Sequence, residues 1–281
     1  MSEPEIYVKV GNQPEIKLTD KITGLSYLGM DDSGSSPQVV NNYQQLAVVD
    51  GQQFISEAYD KRTMNEKFAL DFMDYEDLQL AKCKFYNLLF GSRQLIRIRH
   101  SINMAKVYFA YPMTVDIAPI SPGANVATFT IPFENPSGYW FSLFRSDTEK
   151  NFNGDGIGYG MNYLENNPGD YHFTSMNFTV YNPSDVAIDP YYQHHDMKIM
   201  IRFSGNKCKL TNTTNNSSLE ITKSQSGTIT YDGVNCYVGD NNINNDTDFG
   251  TITLERGNNN FQITECSSVD ITFSFPFIYL Y

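Results

Sequence analysis

Alternating apolar and polar residues dominate the end of the chain. From Gly227 onward the sequence runs through short segments such as GTITYDG, VNCYVGDNN, DFGTITLERGNNNFQIT and SSVDITFSFPFIYLY. Alternation over about four to eight positions is typical of strands with one buried face. Several such strands at this spacing predict a β-sandwich or barrel. Residues able to adopt positive φ predict turns at Asp232-Gly233, Gly239-Asp240 and Arg256-Gly257-Asn258. The closing strand is expected to carry Phe273, Phe275, Phe277 and Tyr279.

The first half of the chain contains one segment with helical periodicity. Asp74 is the expected N-cap, because acidic residues follow it in the first turn, where the helix dipole favours them. Gly91 is the expected C′ residue that ends the helix. One amphipathic helix is therefore predicted between these two residues. Its buried face is expected to carry Leu78, Ala81, Phe85, Leu88 and Leu89.

Strand patterns surround this helix. The segment QLIRIRH at residues 94–100 alternates directly after it, with either Leu95 or Ile96 setting the inward face. The polar stretch DDSGSSP, Asp31–Pro37, is predicted to be a surface loop. The first half is therefore expected to be an α+β domain, largely antiparallel, with one helix packed on a sheet. Further strand candidates are Ile6–Val10, Ile55–Tyr59, Lys67–Phe72, Lys106–Asp116 and Asn125–Phe133.

Composition and charge change near residue 146. Residues 1–145 hold 13 Lys/Arg and 16 Asp/Glu, a net charge of −3, whereas residues 146–281 hold 7 and 16, a net charge of −9. Trp140–Arg145 is expected to end a strand, and NFNGDGIGYG at residues 151–160 has the composition of a flexible connection. We therefore predict a mainly β protein with two domains, residues 1–145 and residues 146–281.

The chain as a whole is acidic, with a net charge of −12 over 281 residues. Affinity for nucleic acid needs clustered Lys and Arg, so this balance argues against a nucleic-acid-binding protein, although an acidic surface suits a channel through which DNA slides. No apolar run approaches the roughly 18 residues of a membrane span, and the start MSEPEIYVKV does not have the pattern of a secretory signal. Four widely spaced cysteines, without a CxxC pair, predict free, mostly buried thiols made in a reducing cytoplasm: Cys83, Cys208, Cys236 and Cys266.

Two segments deserve comparison with metal sites. Asn151–Gly156 (NFNGDG) places oxygens at the first, third and fifth positions like a calcium loop, but Asn162 stands where a bidentate Glu is needed. A Gly-rich hinge is the favoured interpretation. In His194-His195-Asp196, the two histidines of an extended segment point to opposite faces and do not easily bind one ion. No metal site and no cofactor are expected.

Catalytic patterns are equally weak. The sequence contains no nucleophile elbow, P-loop or GxGxxG motif. Asp185 with Asp189, and Asp246 with Asp248, are candidate acid pairs for glycoside hydrolysis, but turn-rich surroundings favour capping roles. Trp140 is either a sugar-stacking platform or, as we favour, a core residue where the domains join. We predict that the chain is not an enzyme, and the sequence identifies no saccharide-binding residues.

The order of elements resembles the distal tail protein (Dit) family of long, non-contractile-tailed phages of Gram-positive hosts. The resemblance covers essentially the whole chain. It rests on an N-terminal strand and polar loop, on DYEDLQLAKCKFYNLLFGSRQLIRIRH, and on an Asn/Gly-rich second half that runs from MKIMIRFSGN through SLEITKSQSGTITYDG to SVDITFSFPFIYL. The fold it implies is an N-terminal belt domain followed by a galectin-like β-sandwich.

This resemblance also implies a function. Belt domains of six copies close into a ring at the distal end of the virion tail, with a central channel for DNA. The ring is a baseplate hub that joins the tail tube protein to a tail-tip, lysin-like protein and to receptor-binding proteins, after assembly in the host cytoplasm. The long polar excursion Asp31–Tyr59 is our candidate for the segment that reaches a neighbouring copy.

Two other classes of function remain open from the sequence. A lectin-like protein that binds cell-wall saccharide needs an exposed aromatic platform in the second half. A cell-wall hydrolase needs a cleft with carboxylates or a metal. The candidates for the aromatic platform are Tyr171, Tyr191, Tyr192 and Tyr231.

Overall fold

A computed structural model describes residues 3–31, 36–148, 158–163 and 170–281 of the chain. The chain divides into two compact units, Met1–Trp140 with Leu280–Tyr281, and Phe141–Tyr279. This division falls within Trp140–Arg145, the strand with which the predicted first domain ends. The limits 1–145 and 146–281 were predicted for two domains that fold independently, and independent folding stays a prediction. The calcium-like stretch Asn151–Gly156 and most of the loop Asp31–Pro37 lie outside the described residues.

The first unit contains one antiparallel sheet and one separate hairpin among its described residues. In chain order the strands are β1 (Ile6–Val10), β2 (Ile16–Lys17), β3 (Leu25–Asp31), β4 (Val39–Gln44), β5 (Gln53–Tyr59), β6 (Arg62–Asp71), β7 (Ile96–His100), β8 (Asn103–Pro112) and β9 (Val126–Asn135). A short 3₁₀ turn, Leu18–Lys21, follows β2. The sheet has the strand order β2-β1-β7-β8-β9-β6-β3, and β4 pairs with β5 alone.

Helix α1 (Tyr75–Phe90) packs on this sheet. The Asp74 carboxylate accepts a hydrogen bond from the backbone N–H of Asp77 at 2.8 Å, which confirms the predicted N-cap. The ring of Phe85 lies 6.3 Å from that of Phe68 on β6 and 5.6 Å from that of Phe129 on β9, so the helix covers these two strands. Of the predicted apolar face, Leu78, Ala81, Phe85 and Leu89 are buried and Leu88 is half-buried.

Some local predictions for the first unit were wrong. Gly91 is right-handed, with φ of −63°, and its N–H still bonds to the Asn87 carbonyl, so it is not the left-handed C′ residue. Arg93 takes positive φ instead. Strand β8 begins before Lys106 and ends at Pro112, short of the predicted Asp116. For β7, the open choice of face is decided by Ile96, which is fully buried while Leu95 is exposed.

The second unit is a β-sandwich. The described strands are β10 (Trp140–Arg145), β11 (His172–Phe173), β12 (Asn177–Asn182), β13 (Lys198–Ser204), β14 (Cys208–Asn212), β15 (Ser217–Ile221), β16 (Ile229–Asp232), β17 (Asn235–Val238), β18 (Asn241–Asn242), β19 (Gly257–Thr264), β20 (Ser268–Ser274) and β21 (Pro276–Tyr279). One sheet has the order β11-β20-β13-β16-β17-β18, the other has β12-β19-β14-β15, and β10 pairs with β21. A 3₁₀ turn, Asn244–Asp246, follows β18.

The core of the sandwich is aromatic. Phe273 of the first sheet lies 5.1 Å and 6.1 Å, between ring centroids, from Phe261 and Phe178 of the second, so the two sheets pack face to face. The predicted sandwich is thereby confirmed. The predicted closing strand is in fact two strands, β20 and β21, because the pairing is interrupted at Phe275. All four residues assigned to it are fully buried.

Two further sequence patterns had different outcomes. Gly233, Gly239 and Gly257 all have positive φ, as the predicted turns require. The alternating stretch Thr251–Leu254 buries Ile252 and Leu254 but makes only isolated bridges among the described residues, rather than a strand. None of the described helices is long and apolar enough to cross a lipid bilayer.

Candidate assembly surface

The most unusual surface of the first unit is the hairpin formed by β4 and β5. We call residues 38–59 the arm. Its strands pair antiparallel from Val39 with Tyr59 to Gln44 with Gln53, and a bulge interrupts the register between Asn42 and Tyr43. The backbone N–H of Asp60 bonds to the Gln38 carbonyl at 2.9 Å and closes the base of the arm.

Every residue of the arm is exposed, on both faces of both strands. A strand normally alternates between a buried and an exposed face, so an arm of this kind buries no core of its own within the chain. An isolated two-stranded hairpin is marginally stable in water. The arm nevertheless carries nine large apolar side chains that are exposed by at least 40%: Val39, Val40, Tyr43, Leu46, Val48, Val49, Phe54, Ile55 and Tyr59.

The tip of the arm concentrates this apolar surface. The rings of Tyr43 and Phe54 meet edge to face at 5.9 Å. Val48 is fully exposed at 107% and takes φ of 59°, a left-handed conformation that is strained for a β-branched residue. Asp50 and Glu57 are the only charged residues in the arm. Exposed apolar side chains with strained backbone at the tip are typical of a protein interaction site.

A second feature of the first unit is a cluster of polar side chains inside its core. The Glu66 carboxylate on β6 is fully buried and accepts hydrogen bonds from the hydroxyls of Tyr27, at 2.5 Å, and Tyr108, at 2.6 Å. His100 Nε2 lies 2.9 Å from the same carboxylate. We call these four residues the Glu66 cluster. They come from β3, β6, β7 and β8, which brings together positions far apart in the sequence.

The cluster stabilises the ionised form of its carboxyl group. Burial by itself raises the pKa of Glu66. The charge and hydrogen bond of His100, together with the two tyrosine hydroxyls, outweigh that effect and hold the pKa of Glu66 below its usual value. Burial first, and the Glu66 charge second, raise the pKa of both Tyr27 and Tyr108.

A Glu, a His and two Tyr side chains also form a set that could act in acid–base chemistry, but they are sealed in the core. The four residues are at most 9% exposed, so no substrate reaches them from the described surface. Their role is therefore structural. Sequence reasoning missed the cluster, although one signal was present, since Glu66 occupies an inward position of β6 between Met64 and Phe68.

The acid pairs that the sequence singled out are engaged in turns. Asp185 accepts a hydrogen bond from the Asn162 side chain at 3.0 Å, and Asp189 caps the backbone N–H groups of Tyr191 and Tyr192. Asp248 accepts from the backbone N–H groups of residues 220 and 250. Asp246 pairs with Lys223 and bonds to Gln225, and these contacts lower the pKa of Asp246.

The neighbouring histidines are not brought together. His194 is exposed, whereas His195 is buried and accepts a hydrogen bond at Nδ1 from the backbone N–H of Asp189 at 3.2 Å. Burial lowers the pKa of His195. Asp196 is paired with Arg145 instead. Across the described ranges, no group of three or more His, Cys, Asp and Glu side chains is placed to hold a metal ion.

The aromatic candidates divide into core and surface residues. Trp140 is 6% exposed and packs edge to face on Tyr108 at 4.8 Å, so it is a core residue of the first unit. Tyr171 and Tyr231 are buried. Tyr191 and Tyr192 are exposed, but their rings meet at 87° and 4.8 Å, so the edge of one ring covers the face of the other. They do not form a flat platform.

Comparison with known proteins agrees with this architecture. Residues 11–135 match the sequence profile of the phage tail protein RIFT-related domain. No curated protein sequence matches the chain. The crystal structure of the SPP1 Dit protein, described as a paradigm of the hub adsorption apparatus in phages that infect Gram-positive bacteria, superposes with a TM-score of 0.65 at 14% identity, over 97% of this chain and 99% of that chain.

Weaker likenesses are found to two structures of the phage p2 baseplate in its activated conformation. The structure with Sr has a TM-score of 0.48 at 12% identity over 98% of both chains, and the structure with Ca has 0.46 at 11% over 97% of both. The profile match covers most of the first unit, and the SPP1 Dit superposition covers both units. Residues 11–135 of this chain thus match the phage tail protein RIFT-related domain, and the chain as a whole has the fold of the SPP1 Dit protein.

Proposed function

We propose that this chain is a structural protein of a phage virion, a distal tail protein that closes as a hexameric ring at the tail tip. In this role it links the tail tube protein to the tail-tip lysin-like protein and to receptor-binding proteins, and it leaves a central channel for DNA. The observation that supports the proposal best is the SPP1 Dit fold over the whole chain, together with a phage tail domain at residues 11–135.

The arm is the proposed contact between neighbouring copies. A closed ring needs a heterologous interface, in which one surface of a copy meets a different surface of the next copy. The arm supplies one such surface, because its apolar side chains are exposed on both faces and only two of its 22 residues are charged. Covering it with a neighbour removes apolar area from water and gives the hairpin the support it does not have alone.

Charge also fits a ring with the second half of each chain at the periphery. Residues 146–281 carry a net charge of −9, and like-charged parts repel each other when crowded. A peripheral position keeps six such parts apart, while residues 1–145, with a net charge of −3, make the contacts of the ring. The net negative charge of the resulting ring suits a channel through which DNA moves without binding.

Cryo-microscopy of assembled virions tests the proposal directly. The expected result is a ring of this chain at the distal end of the tail. Finding the chain in the capsid, or finding virions without it, would refute the assignment. Isolated protein that remains monomeric is consistent with it, because ring closure depends on a tail-tip partner in this proposal.

A matched pair of variants tests the arm separately. Val48→Asp combined with Phe54→Asp places two charges on the apolar tip, whereas Ile102→Asp changes a residue that is 67% exposed in the turn between β7 and β8. Both variants are expected to fold, by circular dichroism. Only the arm variant should be absent from tails when each is supplied in place of the wild-type chain. Equal incorporation of the two variants contradicts the role of the arm and leaves the tail assignment standing.

A further inference from the structure

Two turns of the second unit lie side by side at one end of the sandwich. The turn between β13 and β14 and the turn between β19 and β20 each carry the chain from one sheet to the other. Strands β13 and β20 pair in one sheet, and β14 and β19 pair in the other, so the two turns run next to each other. The backbone N–H of Ser267 donates to the Ser204 carbonyl at 2.8 Å, and the Ser267 hydroxyl donates to the same oxygen at 3.0 Å.

A cysteine occupies each side of this junction. A Cβ added to Gly205 would lie only 3.2 Å from the Cα of Cys266, so the first turn approaches the second at that residue. Cys208 begins β14 directly after the first turn. Lys209 of β14 lies opposite Thr264 of β19, so Cys208, one residue before Lys209, and Cys266, two residues after Thr264, both follow directly on this end of the ladder.

The two thiols differ in exposure. Cys208 is 2% exposed and Cys266 is half-buried, while all four cysteines of the chain, each within the described residues, are free. Burial first, and then the neighbouring Cys266, raise the pKa of Cys208 above the usual value of a thiol. Because Cys266 is the more exposed of the two thiols, a reagent in solution meets it first, and Cys208 is the buried neighbour that completes the reaction.

We propose that Cys208 and Cys266 are an oxidisable pair that forms a disulfide bond across the two turns. With diamide as oxidant, the Cys266 sulfur first adds to one nitrogen of the N=N bond. The Cys208 sulfur then attacks the Cys266 sulfur and displaces the hydrazine, which carries away both thiol hydrogens. One S–S bond forms, two S–H bonds break, and the azo group is reduced by two electrons. The bond joins the beginning of β14 to the corner between β19 and β20 and closes a long loop of the chain.

The circumstances in which the two thiols would be oxidised in nature rest on the proposed function. A virion protein is made in a reducing cytoplasm and then carried into oxidising surroundings, where dissolved oxygen accepts the two electrons and the two thiol hydrogens and becomes hydrogen peroxide. The bond would form after assembly and stabilise the second unit in the released particle. The disulfide forms between two residues of the same chain, so it can be tested on isolated protein whether or not a ring assembles.

The experiment uses the full chain with Cys83→Ser, which removes the exposed cysteine that could pair between molecules. Folded protein is treated with diamide, denatured, alkylated without reduction and analysed by mass spectrometry. We expect the number of alkylated thiols to fall from three to one, and peptide mapping to recover Cys208 joined to Cys266. The oxidised protein should unfold at higher urea concentration than the reduced protein. Adding Cys266→Ser is the matched control and should abolish both changes.

Three alkylated thiols after oxidation would overturn the proposal, because the pair is then unable to close within the folded chain. Joining of Cys236 to either partner would overturn it too, since that bond requires a different arrangement of the sheets. These outcomes say nothing about the place of the chain in a tail, which the cryo-microscopy above decides on other grounds.

Discussion

The Glu66 cluster is expected to be a large contributor to the stability of the first unit. Tyr108→Phe removes one hydroxyl that donates to the Glu66 carboxylate at 2.6 Å and changes little else. A hydrogen bond to a charged group contributes about 1.5–3 kcal/mol, and water cannot replace it here because Tyr108 and Glu66 are both fully buried. We therefore expect Tyr108→Phe to lower the free energy of unfolding by about 2 kcal/mol.

Removing the acceptor should cost more than removing one donor. Glu66→Ala leaves the Tyr27 and Tyr108 hydroxyls without their shared partner and opens a cavity in the core. Breaking a buried polar cluster in this way costs about 3–5 kcal/mol. Since whole domains are stable by only about 5–15 kcal/mol, this variant should be close to unfolding. Tyr111→Phe is the matched control, because Tyr111 is on the same strand but 44% exposed, and its effect should stay within about 0.5 kcal/mol.

Trp140 provides the assay. It is the only tryptophan in the chain, and its ring packs on Tyr108 and His100, so its fluorescence follows the unfolding of the first unit in urea. The stability changes are read from shifts in the midpoint at constant slope. A Tyr108→Phe variant no less stable than Tyr111→Phe would refute the reasoning, since it would mean that the buried hydroxyl contributes nothing net.

The stabilising effect of the Glu66 cluster also depends on pH. Because the pKa of Glu66 is lower in the folded chain than its ordinary value of 4.5, its contribution is fully present above about pH 4.5 and is lost as the pH falls through the folded pKa. Glu66→Gln cannot ionise and should not show this component of acid destabilisation. Equal acid sensitivity of the variant and the wild type would contradict the assignment of an ionised Glu66.

Three further predictions concern the helix, the joint and the chemistry. Asp74→Ala removes the carboxylate that accepts the N-cap hydrogen bond at 2.8 Å and should lower the free energy of unfolding of the first unit by about 1 kcal/mol. Asp74→Asn should keep most of this stability, and equal losses of stability for the two variants in urea unfolding would argue against the capping role. Limited proteolysis should cut first within or next to NFNGDGIGYG at residues 151–160, as its polar, Gly-rich sequence indicates, and protection of residues 120–180 as one fragment would show that the joint is misplaced. Zymography on Gram-positive cell walls should show no clearing, and clearing lost on substitution of a single carboxylate would revive the hydrolase hypothesis.

Local patterns in the sequence determined the secondary structure where one face is buried. The alternation of β7 predicted a strand but left its inward face open between Leu95 and Ile96. The 3.6-residue period of α1 specifies which side chains face inward, and the Asp74 cap and the turn glycines act over only a few residues. For the helix, its N-cap and the turns, the prediction needed no knowledge of the rest of the chain. Of the two strands of the arm, β4 was not predicted, because its segment VVNNYQ does not alternate and neither of its faces is buried.

Only the tertiary structure decided which distant residues meet. Tyr27 and Glu66 are separated by 39 positions, and Cys208 begins β14 whereas Cys266 lies in the turn before β20, so no local window of sequence contains either pair. An alternating pattern divides the residues of a strand between two faces, but it does not tell which strand lies beside it. The neighbour is chosen by the packing of the whole sheet, through burial and hydrogen bonds that exist only once the chain is folded. The Glu66 cluster and the thiol pair are therefore properties of the fold, whereas the helix and the turns are already properties of the sequence.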